Sequence, residues 1–204
     1  MVLLGGWTQD VGRTSAVQKV DLATGLCTAQ PPLLSQHGVL AACTAARLAD
    51  GRIVCVGTNA DGSLPGTAQL LEPPPPEHGS LTEPSWQWRY LPDMSVGRAY
   101  GRGCVLSDGR FAVFGGNSSG SGTTTASCEV LTLDGDIERW DPLPPMHEAR
   151  KAFACAAIGG CVVVAGGPGS ITAEVYEEAL GRWRRLPCSL PHNNRLVWMG
   201  SALM

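Results

Sequence analysis

The sequence predicts an all-β fold made of one antiparallel unit repeated about four times. Three observations carry this reading. Apolar runs end on a glycine pair, or its remnant, four times: VLLGG at 2–6, RIVCVGT at 52–58, RFAVFGG at 110–116 and CVVVAGG at 161–167. The first glycines (Gly5, Gly57, Gly115 and Gly166) stand 51 to 58 residues apart, and a near-constant period of this size marks a repeat architecture. Apolar positions alternate or run in short blocks and never hold a helical period, so no helix longer than about two turns is expected.

Each element of the unit follows from local chemistry. CVLSDGRFAVFGG at 104–116 lies without gaps on CAAIGGCVVVAGG at 155–167. Each copy reads as a strand, a two-residue turn and a second strand. The turns Asp50-Gly51, Asp108-Gly109 and Gly159-Gly160 supply the positive φ that tight hairpins need. A polar loop follows each glycine pair. A third strand comes next, as AVQKVDL, TAQLLEP, ASCEVLTLD and TAEVYEE. The fourth carries Trp88, Trp140 or Trp183 and runs into a proline segment, as in WQWRYLPDM, IERWDPLPPM and GRWRRLPCSLP. The first repeat has CTAQPPLL in that place.

Four short antiparallel strands in a meander are the blade of a β-propeller. The expected division is a partial blade of strands two to four over 1–35, blades over 36–94, 95–146 and 147–191, and a first strand over 192–204, all in one domain. Two arrangements follow. The terminal pieces pair into a shared blade and close a ring of about four blades, or the chain is a piece of a larger, incomplete propeller. The glycine pairs let backbones converge, and each Trp is expected to be an apolar plate buried between blades.

These features resemble the kelch-repeat family. The resemblance rests on the glycine pair after the second strand, the aromatic or apolar residue of the third (Tyr176, Leu131), the following Trp, and an Arg before the next repeat (Arg98, Arg150, Arg195). It covers nearly the whole chain. It implies a protein-interaction module that presents loops to a partner protein or peptide, either as the substrate-recognition part of a ubiquitin-ligase adaptor or as a cytoskeletal binder. The alternative it implies is a fragment of a kelch-type enzyme, a copper oxidase or a sugar-acting propeller. A copper site needs a cluster of Tyr and His, and Tyr90, Tyr100 and Tyr176 fall largely in strands, so binding without catalysis is expected.

Composition narrows the partners. The net charge is −3 and 16% of residues are charged, with no basic patch to neutralise a nucleic acid. No run approaches the ~20 apolar residues of a membrane helix, and MVLLGGWTQD has no signal-peptide pattern; a cytoplasmic or nuclear protein is expected. The eight cysteines sit mostly in strand-like runs without a CxxC pair, which argues for buried reduced thiols. The proline-rich stretch from Glu72 to Ser85 reads as a stiff surface loop.

Strand alternation puts the loops after each second strand and the segments between blades on one rim. This rim is the expected partner-binding face, with Asn59, Asn117, Ser118 and Ser119 in its loops and Arg98, Arg150 and Arg195 in its interblade segments. Two roles are open for the arginines: an arc of guanidiniums for an acidic partner, or braces on interblade carbonyls. His37, His147 and His192 fall on the same rim. They stand on different repeats, too far apart to share one metal ion, so no metal and no cofactor is expected.

Overall fold

The computed structural model describes residues 1–10, 12–34, 41–58, 67–72, 86–118 and 121–190. Among them the regular structure is strand, apart from a single 3₁₀ turn at Glu178–Leu180. The first sheet holds β1 (Val2–Thr8), β2 (Gly12–Val20) and β3 (Cys27–Gln30). The second holds β4 (Ala41–Arg47), β5 (Ile53–Thr58), β6 (Thr67–Glu72) and β7 (Gln87–Tyr90). A short ribbon pairs β8 (Arg98–Ala99) with β11 (Asn117–Ser118). The third sheet holds β9 (Arg102–Val105), β10 (Phe111–Phe114), β12 (Cys128–Asp134) and β13 (Ile137–Leu143). The fourth holds β14 (Ala154–Ile158), β15 (Cys161–Ala165), β16 (Thr172–Glu177) and β17 (Arg182–Ser189). Every sheet is an antiparallel meander of strands in chain order, the blade of a β-propeller. The expected closing strand at 192–204 lies outside the described residues.

The core sits between sheets. One cluster joins the first and second sheets through Val17, Leu33, Cys55, Leu71 and Trp88. A second joins the second and third through Val54, Leu70, Phe111, Val113 and Leu131. A third joins the third and fourth through Phe114, Val130, Phe153, Val164 and Trp183. Alternation within each strand explains this. Successive side chains point to opposite faces, so a blade with two covered faces needs continuous apolar runs, as FAVF and CVVVA provide.

The glycine pair owes its place to backbone on both sides, that of the next blade at Gly115 and that of its own blade's incoming segment at Gly116. A Cβ at Gly115 would lie 2.4 Å from the carbonyl oxygen of Arg150, and one at Gly116 would lie 2.7 Å from that of Ala99. Both glycines have positive φ, 58° and 102°, which any side chain would strain. The Gly116 N–H donates to the Arg150 carbonyl at 2.7 Å, so the close approach is itself a hydrogen bond between blades.

The tryptophans tie neighbours together by their rings and by their N–H groups. Trp88 donates to the carbonyl of Pro31, Trp140 to that of Pro92 and Trp183 to that of Pro144, at 2.9, 2.9 and 2.8 Å. Each acceptor is a proline just beyond the fourth strand of the preceding blade. QPPLL of the first repeat therefore supplies the acceptor although it lacks a Trp. Trp88 and Trp183 are buried, and Trp183 meets Phe114 edge-on at 5.8 Å. Trp140 is only half-buried, less than the sequence reading expected, because it caps the edge of the second cluster instead of filling it. All eight cysteines are free thiols, but only Cys55 and Cys128 are buried, and Cys27 and Cys188 are exposed, which corrects the expectation of buried thiols; burial pushes the Cys128 thiol up to about 12, so it stays protonated at neutral pH.

Burial orders the cost of losing these rings. Trp183→Ala should destabilise by ~3–5 kcal/mol as a large core truncation, and Trp140→Ala by clearly less. Denaturant unfolding of both variants measures the order; equal losses would contradict it.

Candidate functional site

On the expected binding rim each loop is closed at its neck by hydrogen bonds to an interblade segment. The backbone N–H of Leu33, Leu91, Met146 and Leu190 donates to the carbonyl of Ser15, Ala68, Ala126 and Ile171 respectively. One bond of this kind recurs in all four sheets. The loop after the second strand and the segment from one blade to the next thus form one bonded surface.

Below this surface lies a buried charged clamp. Glu129 on β12 accepts from the N–H groups of Ser95 and Val96 at 2.9 and 3.4 Å. Arg98 donates to the same carboxylate at 2.5 Å and to the carbonyls of Gly115 and Ser127 at 3.0 and 2.7 Å. Gly115 begins the loop and Ser127 ends it, so one guanidinium staples both sides of the neck. The fourth sheet repeats the device. Glu174 on β16 accepts from the N–H groups of His147 and Glu148 at 2.7 and 3.1 Å. Arg150 bonds Glu174 and the carbonyls of Gly166 and Thr172.

The structure decides between the two roles left open for the arginines. Arg98 and Arg150 are 2% and 1% exposed, so they are braces, and an arc of guanidiniums facing an acidic partner is corrected for these two. Their charge is met inside the blade, because an isolated buried cation would be costly. Arg195, Asn59 and Ser119 lie outside the described residues, as do His37, His192 and positions 73–85 of the proline-rich stretch. Asn117 and Ser118 are half-buried and are brought directly to Arg98 and Ala99 by the β8–β11 ribbon. Beyond them Ser121 and Thr123 are exposed.

The acids at the base of the clamp were not singled out in the sequence. The available signal is a Ser/Thr–small–polar triplet in three of the four third strands: Thr67-Ala68-Gln69, Ser127-Cys128-Glu129 and Thr172-Ala173-Glu174. In the second sheet Gln69 replaces the acid and bonds Leu34 through both its amide oxygen and its nitrogen, each at 2.9 Å. That repeat has no arginine between Leu34 and Arg47. In the first sheet the place belongs to Val17, which is buried and apolar.

Two further groups shape the rim. His147 bonds the Glu174 carboxylate through Nδ1 at 2.8 Å. Glu148 accepts from Ser170 and Thr172 hydroxyls, each at 2.7 Å. The Thr172 bond, despite some desolvation, holds the Glu148 carboxyl below its ordinary value. Tyr100 and Ala152, each two residues past a clamp arginine, are left-handed, and the Ala152 N–H donates to the Tyr100 carbonyl at 2.8 Å. Among the described residues no group of three or more His, Cys, Asp or Glu is placed to hold a metal ion. No helix among them is long and apolar enough to cross a membrane.

The clamp makes two expectations. Arg98→Met alone should cost ~3–5 kcal/mol, because it leaves Glu129 buried without its cation. Adding Glu129→Gln, which copies the second sheet, should recover part of that loss in denaturant unfolding; strictly additive losses would refute the coupling. The second concerns acid. Burial raises the Glu174 carboxyl, but the bonds from His147 and Arg150 outweigh it and leave it below its ordinary value. A carboxylate depressed in the folded state adds stability above the unfolded value of ~4.3 and loses it as pH falls through the lower folded value. Stability should therefore drop with acid below about pH 4, and less steeply in Glu174→Gln.

No protein-family profile matches the chain. Curated proteins do. The chain is 34% identical over 98 residues, 46% of its length, to an F-box/kelch-repeat protein of Arabidopsis thaliana. It is 34% identical over 109 residues, 48% of its length, to a putative F-box/kelch-repeat protein of the same plant. It is 26% identical over 109 residues, again 48% of its length, to Kelch-like protein 34 of Homo sapiens. The matched parts are 26%, 30% and 17% of those proteins, so the chain spans less than a third of the curated relatives it matches. Glycine pairs, indole ties and meander blades agree with that likeness: the chain is similar to kelch-repeat proteins, and its sheets are blades of a β-propeller.

Proposed function

We propose that this chain is a protein-interaction module that receives its partner on the rim formed by the loops after each second strand and the segments between blades. Asn117, Ser118, Ser121 and Thr123 lie at its described centre. The observation that carries the reading is the buried clamp. Two blades spend a charged pair on holding the necks of these loops, while the loop tips stay polar and solvated. Polar loops on a rigid scaffold are where binding concentrates. Arg98 and Arg150 act here as positioning residues, and the partner is a folded protein or a peptide. Asn59, Ser119 and Arg195 belong to the same proposed rim by their place in the repeat.

The finer reading is substrate recognition for a ubiquitin ligase. It is supported by the similarity to proteins named F-box/kelch-repeat. The test is affinity capture with the chain and two variants. Ser121→Arg/Thr123→Arg alters the rim, and Ile137→Arg alters an exposed position at the opposite end of the third blade. Captured partners should be lost with the first and kept with the second. Partners kept equally by both would move the site off this rim. Ubiquitylation of a captured protein that falls when this chain is depleted supports the adaptor role. Capture of filament proteins, with ubiquitylation unchanged, would turn the reading to cytoskeletal binding.

A further inference from the structure

The three interfaces between sheets are not filled alike. The second and third are packed with Phe111, Phe114 and Phe153 among their buried residues. The first, between the sheet of β1–β3 and the sheet of β4–β7, has five buried apolar residues. Beside them lies a cavity of about 620 Å³. Its walls are cross-strand rows. On the first sheet Val2 stands opposite Lys19, and Lys19 opposite Thr28. On the second sheet Arg47 stands opposite Ile53, and Ile53 opposite Leu71. Strand alternation aims each row into the gap. Trp86 completes the lining. A point at the missing Cβ of Gly51 lies 3.5 Å from the Arg47 guanidinium and 3.9 Å from the Trp86 ring, so the cation and the indole converge at one end.

The charges are one-sided. Each wall contributes a cation, and among the described residues no Asp or Glu lines the gap. Among the described residues neither Lys19 nor Arg47 has a side-chain hydrogen bond or ion pair. The nearby Asp21 carboxylate acts on Lys19 through space without a direct bond, and it accepts from the N–H groups of Ala23 and Thr24 at 2.8 and 3.0 Å. Val2, Leu4, Ile53 and Leu71 give the interior an apolar surface. A gap of a few hundred Å³ with apolar walls and a few convergent polar groups has the size and character of a small-molecule site.

We propose that this gap binds a small amphipathic organic anion, with a hydrocarbon or aromatic body between the two sheets and a carboxylate held by Lys19 and Arg47. Charge complementarity selects the anion: a carboxylate gains the attraction of both cations, a neutral ligand gains none, and a cationic one meets repulsion from both walls. Planar Arg47 suits a carboxylate, which can take two parallel N–H bonds. The site is separate from the rim proposed above and does not depend on it. It lies between blades, on the side of the turn at Gly51, whereas the rim lies at the other end of the strands.

The probes are phenylbutyrate and phenylbutanol, which share a body and differ in charge, titrated calorimetrically into the full chain. Phenylbutyrate should bind with one-to-one stoichiometry, more tightly than phenylbutanol by about tenfold or more, and more weakly as salt rises. Lys19→Glu/Arg47→Glu, at two exposed positions, should abolish phenylbutyrate binding while the unfolding midpoint stays near that of wild type. Ala45→Phe, placed on the second-sheet wall, should block both probes by filling the gap. Equal binding of the two probes would overturn the anion assignment. Phenylbutyrate binding unchanged by Ala45→Phe would overturn the location, and no heat at millimolar phenylbutyrate would overturn the site altogether.

Discussion

The buried pairing of Arg98 with Glu129, and of Arg150 with Glu174, is the constraint on which the rim depends. Each carboxylate satisfies two backbone N–H groups of the segment arriving from the preceding blade. Each guanidinium satisfies the carbonyls at the two ends of the loop it closes. Without the pair, several backbone groups would be buried with no partner, each at a cost comparable to a lost hydrogen bond. The charge is thus a by-product of geometry. An irregular crossover must pass over the ends of a sheet, where no ladder can bond it, and only a many-armed donor and acceptor reaches every orphan group. Gln69 shows the reduced form: with no arginine to balance, a neutral amide bonds Leu34 on both sides. Val17 shows the form with none of these bonds, in a sheet whose matching position is simply packed.

Much of this architecture was legible from the residues alone. The glycine pairs, Asp-Gly turns and spaced tryptophans are local signals. Each acts through its own backbone or bulk, so four sheets in chain order could be read before any contact was known. The fate of Arg98 and Arg150 was not legible in the same way. An arginine in a polar segment looks identical whether it faces solvent or a carboxylate 24 to 31 positions later. What settles it is Glu129 or Glu174 standing inside an otherwise apolar strand, where an acid is too costly to bury without a partner. The Trp–proline tie was hidden for a related reason. The donor is a side chain with a clear pattern, but the acceptor is a carbonyl, which has no signature of its own beyond the proline that frees that segment from the ladder.

Packing and clamping vary together along the chain. The fourth sheet has the fullest clamp, with Ser170, Thr172 and Glu148 joining Arg150, and it shares the cluster richest in aromatics. The third keeps the bare pair. The second keeps only the amide, and the first has no polar group at that place. The interface with the open cavity is the one between these last two sheets. Polar satisfaction and apolar filling are separate energies, but here the blades with the most fixed crossovers also share the cluster richest in aromatics. A crossover held in one position sets the angle at which the next sheet arrives, and close packing tolerates little error in that angle.

This division has a consequence for how the repeat can change. The groups that fix blade to blade are the glycine pair, the indole N–H, the third-strand acid and the arginine, and all of them sit below the loop necks. Substitutions at exposed loop tips such as Ser121 and Thr123 leave those bonds in place, and surface changes away from such features usually shift stability little. Substitutions at Gly115 or Glu174 strike the crossover itself. Residues that determine what the rim could recognise are therefore separated from residues that determine whether the blades stand. A scaffold built this way can vary its loop tips without reopening its core, and the loop at 117–125 is correspondingly polar and rich in glycine.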